Sequence, residues 1–114
     1  MENNLSLPLI ERARQHPDRT AIQCAGSSYS YGQLLSESRK LALGLLGGAA
    51  DLEEARIAFL APPGFAYVCI QWGIWRAGGI AVPLCEKHPL PSMEYVVRDT
   101  GADAVICTEE YREF

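Results

Sequence analysis

The side chains that could perform acid–base or metal chemistry are few and scattered along this sequence. His16 and His88 each precede a proline, and neither has an H-x-x-x-H partner that would form a metal pair on a helix. The carboxylate pairs Glu53–Glu54 and Glu109–Glu110 are adjacent in sequence. Because neighbouring side chains point apart on a helix, neither pair predicts a dyad that shares a proton. We therefore predict no catalytic residue and no metal site among these 114 residues.

The cysteines also give no sign of a metal centre. All four stand singly, so no C-x-x-C pair suggests zinc. Cys24, Cys69 and Cys107 lie within apolar runs, unlike Cys85. We expect these three to be small buried hydrophobic side chains of a protein in a reducing compartment.

Motifs that bind phosphate or activate serine are missing. The sequence has no G-x-x-x-x-G-K-[ST], no G-x-G-x-x-G and no G-x-S-x-G. The glycine pairs Gly47–Gly48 and Gly78–Gly79 follow predicted helices, whereas a phosphate cradle needs glycines before a helix. The loops at 61–64 and 84–88 follow predicted strands. Ligands bind beyond the carboxyl ends of parallel strands, so these loops are candidate ligand sites, with plain connections as the alternative.

The elements that would position those loops alternate between helix and strand. A capping box at Ser30 and Gln33 predicts the start of the longest helix, which Gly47 ends. Ser6 is the predicted cap of the first helix. We predict helices at 6–15, 30–46, 65–76 and 93–100, a new helix from Glu109, a hairpin of strands 20–24 and 28–29, and buried strands at 55–60, 80–82 and 104–107.

This order predicts an α/β fold, with a mostly parallel sheet and flanking helices connected by right-handed crossovers. The strands are apolar without alternation, which is typical of strands covered on both faces. The helix at 65–76 is apolar on most faces and carries Trp72 and Trp75. We expect it to pack between two layers or against something larger than this chain.

Composition excludes several classes of function. Apolar residues make up 48% of the chain and charged residues 21%, with a net charge of -4. No basic stripe suggests a nucleic-acid partner, and the longest apolar stretch, 65–82, is too polar to span a membrane. The acidic start has no basic region before an apolar run, so we predict a cytoplasmic protein. The mitochondrial matrix is the alternative if a presequence has been removed.

Three stretches in order resemble the adenylate-forming enzymes, the family of acyl-CoA synthetases, peptide-synthetase adenylation domains and luciferases. Residues 29–34, Tyr-Ser-Tyr-Gly-Gln-Leu, resemble the signature that opens the family's first long helix. Residues 16–21 resemble the entry to that signature, and residues 75–84 resemble the family's Ala-Gly-x-x-x-Val-Pro-Leu element. Within the family, residues 71–75, 79–84, 87–89 and 94–96 are similar to the malonyl-CoA synthetase branch.

The resemblance implies that residues 1–114 are part of the N-terminal subdomain of an ATP-dependent acid–thiol ligase. Such an enzyme joins a carboxylic acid, here malonate or methylmalonate, to CoA through an acyl-adenylate and uses ATP and Mg. The family's phosphate loop, magnesium-binding Glu, ribose-binding Asp and mobile Lys match nothing here and would lie after Phe114. We therefore expect this chain alone to be inactive and to bind none of these cofactors.

The resemblance also gives candidates for the CoA side of the site. Some relatives approach CoA with the loop after the Val-Pro-Leu strand and with an Arg near the end of the next strand. The matching positions here are Glu86, Lys87 and His88 in the loop, and Arg112. Lys87 and Arg112 suit phosphate groups, although solvated surface charge is the alternative.

Two other interpretations stay open. The chain could be a stand-alone, non-enzymatic α/β interaction module, or part of an amino-acid adenylation domain. If it is part of a larger enzyme, the isolated chain should be poorly stable. The helix with Phe65, Tyr67, Trp72 and Trp75 would then expose apolar surface that other layers normally cover.

Overall fold

The computed structural model describes residues 7–111. The first helix, α1, spans Pro8–Arg14 and buries Ile10 and Ala13. Its N-cap position is Leu7, without a side-chain hydrogen bond, and Pro8 occupies the first turn, where the missing N–H costs nothing. Ser6, the predicted cap, lies outside the described residues.

A hairpin and a long helix follow. Strands β1, Thr20–Cys24, and β2, Ser27–Ser30, pair antiparallel across a two-residue turn. Both turn residues have positive φ, 51° at Ala25 and 80° at Gly26, which suits the twist of the hairpin. The strand β2 begins one residue before the predicted range.

Helix α2 spans Tyr31–Leu46 and begins at the predicted capping box. The Gln33 amide donates to Ser30 Oγ at 3.1 Å, and the Ser30 amide donates to Gln33 Oε1 at 2.8 Å. Gly47, at φ 54°, closes the helix in the left-handed conformation that glycine adopts without strain. The two ends of this helix are therefore confirmed.

Three parallel strands form the main sheet in the order β4-β3-β5. Helices α3 and α4 are the crossovers, which confirms the predicted α/β class with a parallel sheet. The elements are β3 Arg56–Leu60, α3 Phe65–Arg76, β4 Ile80–Pro83, α4 Leu90–Thr100, β5 Ala104–Cys107 and a single 3₁₀ turn, Glu109–Tyr111.

Helix α3 lies between the sheet and the helices α1 and α2. This confirms the prediction that it packs between two layers. One face packs Ile70 and Ile74 on Phe59 of β3, and the other packs Trp72 against Leu34 of α2. Gly73 lets α2 approach closely, because a Cβ there would lie 2.6 Å from Leu41 Cδ2. The core is therefore centred on α3.

The prediction that all three parallel strands are buried is wrong for the two edge strands. Only β3 is covered along most of its length. Ile80 of β4 is 43% exposed and Val105 of β5 is 56% exposed. Each edge strand has one hydrogen-bonded neighbour, and three of the four residues of β5 are exposed.

Two smaller predictions are also corrected. Cys69 is buried as expected, but Cys24 is only half-buried and Cys107 is exposed on the edge strand. Helix α4 begins at Leu90 rather than Met93, because prolines are tolerated before and within the first helical turn. The last segment forms a 3₁₀ turn at Glu109–Tyr111, and the predicted helix beyond it lies outside the described residues.

No helix in the described part of the chain is long and apolar enough to cross a membrane.

Candidate functional site at the carboxyl ends of the strands

The three parallel strands end at one edge of the sheet, where their following loops meet. Backbone hydrogen bonds extend the pairing beyond the strands: Leu84 N donates to Phe59 O at 2.9 Å and Thr108 N donates to Leu60 O at 3.2 Å. The segments after β4 and β5 therefore both start from the end of β3. This edge is where open parallel sheets bind ligands.

The loop after β4 carries two of the predicted site residues. Leu84 is buried and fixes the start of the loop, and His88 N donates to Cys85 O at 3.1 Å, which closes a tight turn. Lys87 and His88 lie in this turn with exposed side chains. Within residues 7–111, Lys87 has no carboxylate at ion-pair distance. Both candidates therefore face solvent at the predicted edge.

The third predicted site residue, Arg112, lies outside the described residues. Its neighbour Tyr111 is described and makes a contact that the sequence did not suggest. The Tyr111 hydroxyl donates a hydrogen bond to the carboxylate of Glu86, 25 residues earlier in the chain. The loops after β4 and β5 are therefore joined by side chains.

This contact changes the acidity of the phenol. Hydrogen bonding to Glu86 is the largest cause, followed by burial and by the negative charges of Glu86 and Glu110. Together they raise the pKa of Tyr111 to about 12. An anionic phenolate would repel the carboxylate it faces, so the proton stays on the tyrosine at neutral pH.

An open apolar groove of about 500 Å³ runs beside this contact, between α4 and β5. Glu94 and Arg98 are the charged residues along it. The apolar part of its lining is formed by Leu60, Leu84, Leu90, Met93, Val97, Val105, Cys107 and the ring of Tyr111.

The two most exposed large apolar side chains of the described residues, Tyr95 and Val105, lie on α4 and β5 rather than on α3, where the sequence led us to expect them. Trp72 is only 7% exposed because α2 and α1 cover it, and Trp75 is 36% exposed. In contrast, Tyr95 on α4 is 65% exposed. The amphipathic pattern of α4 did not predict this exposure, because the pattern does not show whether the neighbouring part of the sheet is covered.

The other candidate loop, after β3, packs as a connection. Gly64 has φ 149° and precedes α3, and a Cβ there would lie 3.6 Å from Cys24 Sγ of the hairpin. Phe65 stacks on Tyr29 with ring centroids 4.1 Å apart. The loop therefore joins the sheet to the hairpin, which favours the alternative of a plain connection.

Arg76, at the end of α3, is a buried charged residue that the sequence analysis did not single out. It is 1% exposed, and its Nη1 donates to Leu35 O at 2.8 Å and to Ser38 Oγ at 2.9 Å. Burial, with the positive charges of Arg14 and Arg39, lowers its pKa. The guanidinium joins α3 to α2 and lies outside the candidate edge.

The described residues contain no cluster of three or more His, Cys, Asp or Glu that could hold a metal ion. The amine of Lys87 and the imidazole of His88 are exposed on a turn in which the neighbouring Glu86 accepts a hydrogen bond from Tyr111.

Comparison with known proteins agrees with the family inferred from the three motifs. The sequence model of the family described as AMP-binding enzyme matches residues 9–113. Malonate–CoA ligase ACSF3, mitochondrial, of Homo sapiens is 38% identical over 114 residues, covering 95% of this chain and 19% of the relative. Malonate–CoA ligase of Arabidopsis thaliana is 33% identical over 110 residues, covering 84% of this chain and 18% of the relative.

Solved structures show the same fold. The anthranilate CoA ligase AuaEII, in complex with anthranoyl-AMP, superimposes with a TM-score of 0.80 at 22% identity, over 96% of this chain and 21% of that one. The chain thus spans about one fifth of the length of the curated relatives above. The family match covers nearly all of residues 1–114, and the chain belongs to the AMP-binding enzyme family.

Proposed function

We propose that residues 1–114 are part of the N-terminal subdomain of an ATP-dependent acid–thiol ligase, an acyl-CoA synthetase. The observation that carries this proposal is the family match over residues 9–113, together with the 38% identity to a malonate–CoA ligase. The parallel sheet and its crossover helices supply one layer of the scaffold, and the reacting groups belong to other parts of the enzyme.

The proposed reaction has two steps. A carboxylate oxygen of the acid attacks the α-phosphorus of ATP, and pyrophosphate leaves. The thiol sulfur of CoA then attacks the acyl carbon and loses its proton, and AMP leaves. Both steps depend on positioning and on neutralising charge. Magnesium would supply part of that neutralisation, but no group in residues 7–111 fits it, so we assign no step through it to this chain.

We propose malonate or methylmalonate as the acid. Support comes from the names of the human and Arabidopsis relatives and from the similarity of residues 71–75, 79–84, 87–89 and 94–96 to that branch. The described residues include no acyl pocket that we can assign. The acid is therefore a proposal about the whole enzyme, and an amino acid is the competing substrate class.

For the coenzyme, we propose that Lys87, His88 and Arg112 lie on the CoA side of the site. Lys87 supports this best, since its exposed amine at the carboxyl edge has no carboxylate partner among residues 7–111. An ammonium on a flexible stem suits the phosphates of CoA. The proposal for Arg112 rests on its sequence position alone.

For the compartment, we propose the mitochondrial alternative over the cytoplasm. The human relative is described as mitochondrial, and this favours the same location for a ligase that carries this chain. Imaging of the whole ligase fused to a fluorescent protein tests it, and diffuse cytoplasmic fluorescence would refute it.

The decisive experiment is acid-dependent exchange of labelled pyrophosphate into ATP by a ligase-length polypeptide that begins with this chain. We expect exchange with malonate or methylmalonate, followed by formation of the CoA thioester. The 114-residue chain alone, at equal concentration, is the control and should give no exchange. Exchange only with an amino acid would favour an adenylation domain, and no exchange with any acid would favour a binding module.

The site proposal has its own test in the same polypeptide. Lys87→Ala should raise KM for CoA by about tenfold, the loss of roughly one charge-assisted contact, while acid-dependent exchange stays near the original rate. Lys40→Ala is the matched control, because Lys40 is exposed on α2 and pairs there with Glu37. Equal effects of the two variants would mean that Lys87 is a solvated surface charge.

A further inference from the structure

The hydrogen bond between Tyr111 and Glu86 crosses the end of the central strand. In the sheet order β4-β3-β5, Glu86 follows one edge strand and Tyr111 follows the other. The side chains therefore meet over the carboxyl end of β3.

Both ends of this contact are held by backbone hydrogen bonds. On one side, Glu86 lies inside the turn that His88 N closes on Cys85 O at 3.1 Å. On the other side, Tyr111 N donates to Thr108 O at 3.0 Å, and the amide of Thr108 is bound to β3. Movement of the turn relative to the sheet would therefore break the phenol–carboxylate hydrogen bond.

We infer that Glu86 and Tyr111 form a latch that positions the Cys85–His88 turn and thereby places Lys87 and His88 toward CoA. This inference rests on the proposed function and adds two positioning residues to it. Glu86 precedes Lys87 directly in the turn, so holding Glu86 in place also holds the backbone of Lys87. The latch can therefore act without contact between either of its residues and the coenzyme.

The latch also has an electrostatic effect. A carboxylate beside Lys87 would compete with a phosphate for the ammonium group. The Tyr111 hydroxyl gives the Glu86 carboxylate a different partner. The turn can then present the Lys87 ammonium to an anion while its neighbouring carboxylate is occupied.

Kinetics of the ligase-length protein test the positioning role. Tyr111→Phe keeps the ring that lines the groove and removes only the donor. Glu86→Ala removes the acceptor, whereas Glu86→Gln keeps an oxygen that can accept. We expect the first two variants to raise KM for CoA about three- to tenfold, with acid-dependent pyrophosphate exchange unchanged and Glu86→Gln close to the original value.

The double variant Tyr111→Phe with Glu86→Ala should be no worse than either single one, because both remove the same hydrogen bond. Tyr95→Phe is the control, since Tyr95 is 65% exposed on α4. An active ligase whose KM for CoA is unchanged in Tyr111→Phe would overturn the latch and leave the proposed function standing. A ligase that exchanges no pyrophosphate would overturn the proposed function and, with it, the role toward CoA.

Trypsin cleavage after Lys87 gives a readout that needs no activity. In the same ligase-length protein, Tyr111→Phe should speed cleavage at Lys87 several-fold, because the freed turn fits the protease more often. Cleavage at Lys40 in α2 should keep its rate and serves as the internal control. An unchanged rate at Lys87 would mean that the hydrogen bond does not hold the turn, and it would overturn the latch whatever the kinetics show.

Discussion

The two sides of the parallel sheet differ sharply in how completely they are covered. On the α3 side, Phe59 and Ile74 are fully buried, and even the charge of Arg76 has two hydrogen-bond partners. On the side of α4 and β5, Val105 is 56% exposed beside an open apolar groove. The α3 side is a finished core, whereas the α4 side offers apolar surface that another layer could cover.

The largest expected effect compares a side chain from each side. Phe59→Ala should lower the free energy of unfolding by about 3–5 kcal/mol, because it leaves a cavity in the closed core. Val105→Ala on the open side should change it by less than about 0.5 kcal/mol. Urea unfolding followed by tryptophan fluorescence measures both. Similar losses for the two variants would show that the sides are equally packed.

The next effect tests the close approach of α2 and α3. Gly73→Ala should cost about 1–3 kcal/mol, because the new Cβ would lie 2.6 Å from Leu41 Cδ2 and 2.9 Å from Leu41 Cβ. Gly44→Ala in α2 is the matched control. Its Cβ meets nothing within 4 Å, so better helix propensity should stabilise the protein by about 0.5–1 kcal/mol. Thermal melts that shift in the same direction for both would contradict the packing described.

A smaller loss should follow removal of one partner of the buried guanidinium. Ser38→Ala deletes the hydroxyl that accepts from Arg76 Nη1 and should cost about 1–2 kcal/mol in unfolding free energy. Ser36→Ala, on the exposed face of the same helix, should cost almost nothing. A loss confined to Ser38 would support the hydrogen bond from Arg76 Nη1 in the closed core, and equal losses for the two variants would refute it.

The smallest effect depends on pH. Burial, and then the charge of Glu37, raises the pKa of Cys69 from 9.0 to about 11. The thiol of the unfolded chain ionises first, so this contribution is complete below pH 9 and is lost as pH rises toward 11. We expect a loss of about 1 kcal/mol over that window, after solvent screening.

Cys69→Ala should remove that part of the alkaline decline, as melting temperatures between pH 8 and 11 would show. Tyr111 keeps its own decline between about 10 and 12, so the variant would still lose stability at the highest pH. A decline that is identical with and without the Cys69 thiol would contradict its assignment to the closed core.

Features set by local sequence could be predicted well. The capping box at Ser30, the end of α2 at Gly47 and the bounds of α3 depend on residues a few positions apart. The parallel direction of the strands followed from the alternation of strands and helices, and the motifs indicated the family.

Features that depend on neighbours distant in sequence could not be predicted in this way. An apolar run looks the same in a covered strand and in an edge strand, so Cys107 and Val105 were wrongly expected to be buried. The contact between Glu86 and Tyr111 left no trace in spacing or type, because it forms only when two loops meet over β3. Lys87 and His88 lie at the predicted edge, and their roles stay predictions.

The buried guanidinium of Arg76 also restricts how its two helices can align. A slide of α2 along α3 by one turn, about 5.4 Å, would carry Leu35 O and Ser38 Oγ away from Nη1 and leave a cation in apolar surroundings. Arg76 thus favours one axial position of α2 along α3. Because α3 packs on the sheet, the same hydrogen bonds also set the position of α2 relative to the sheet.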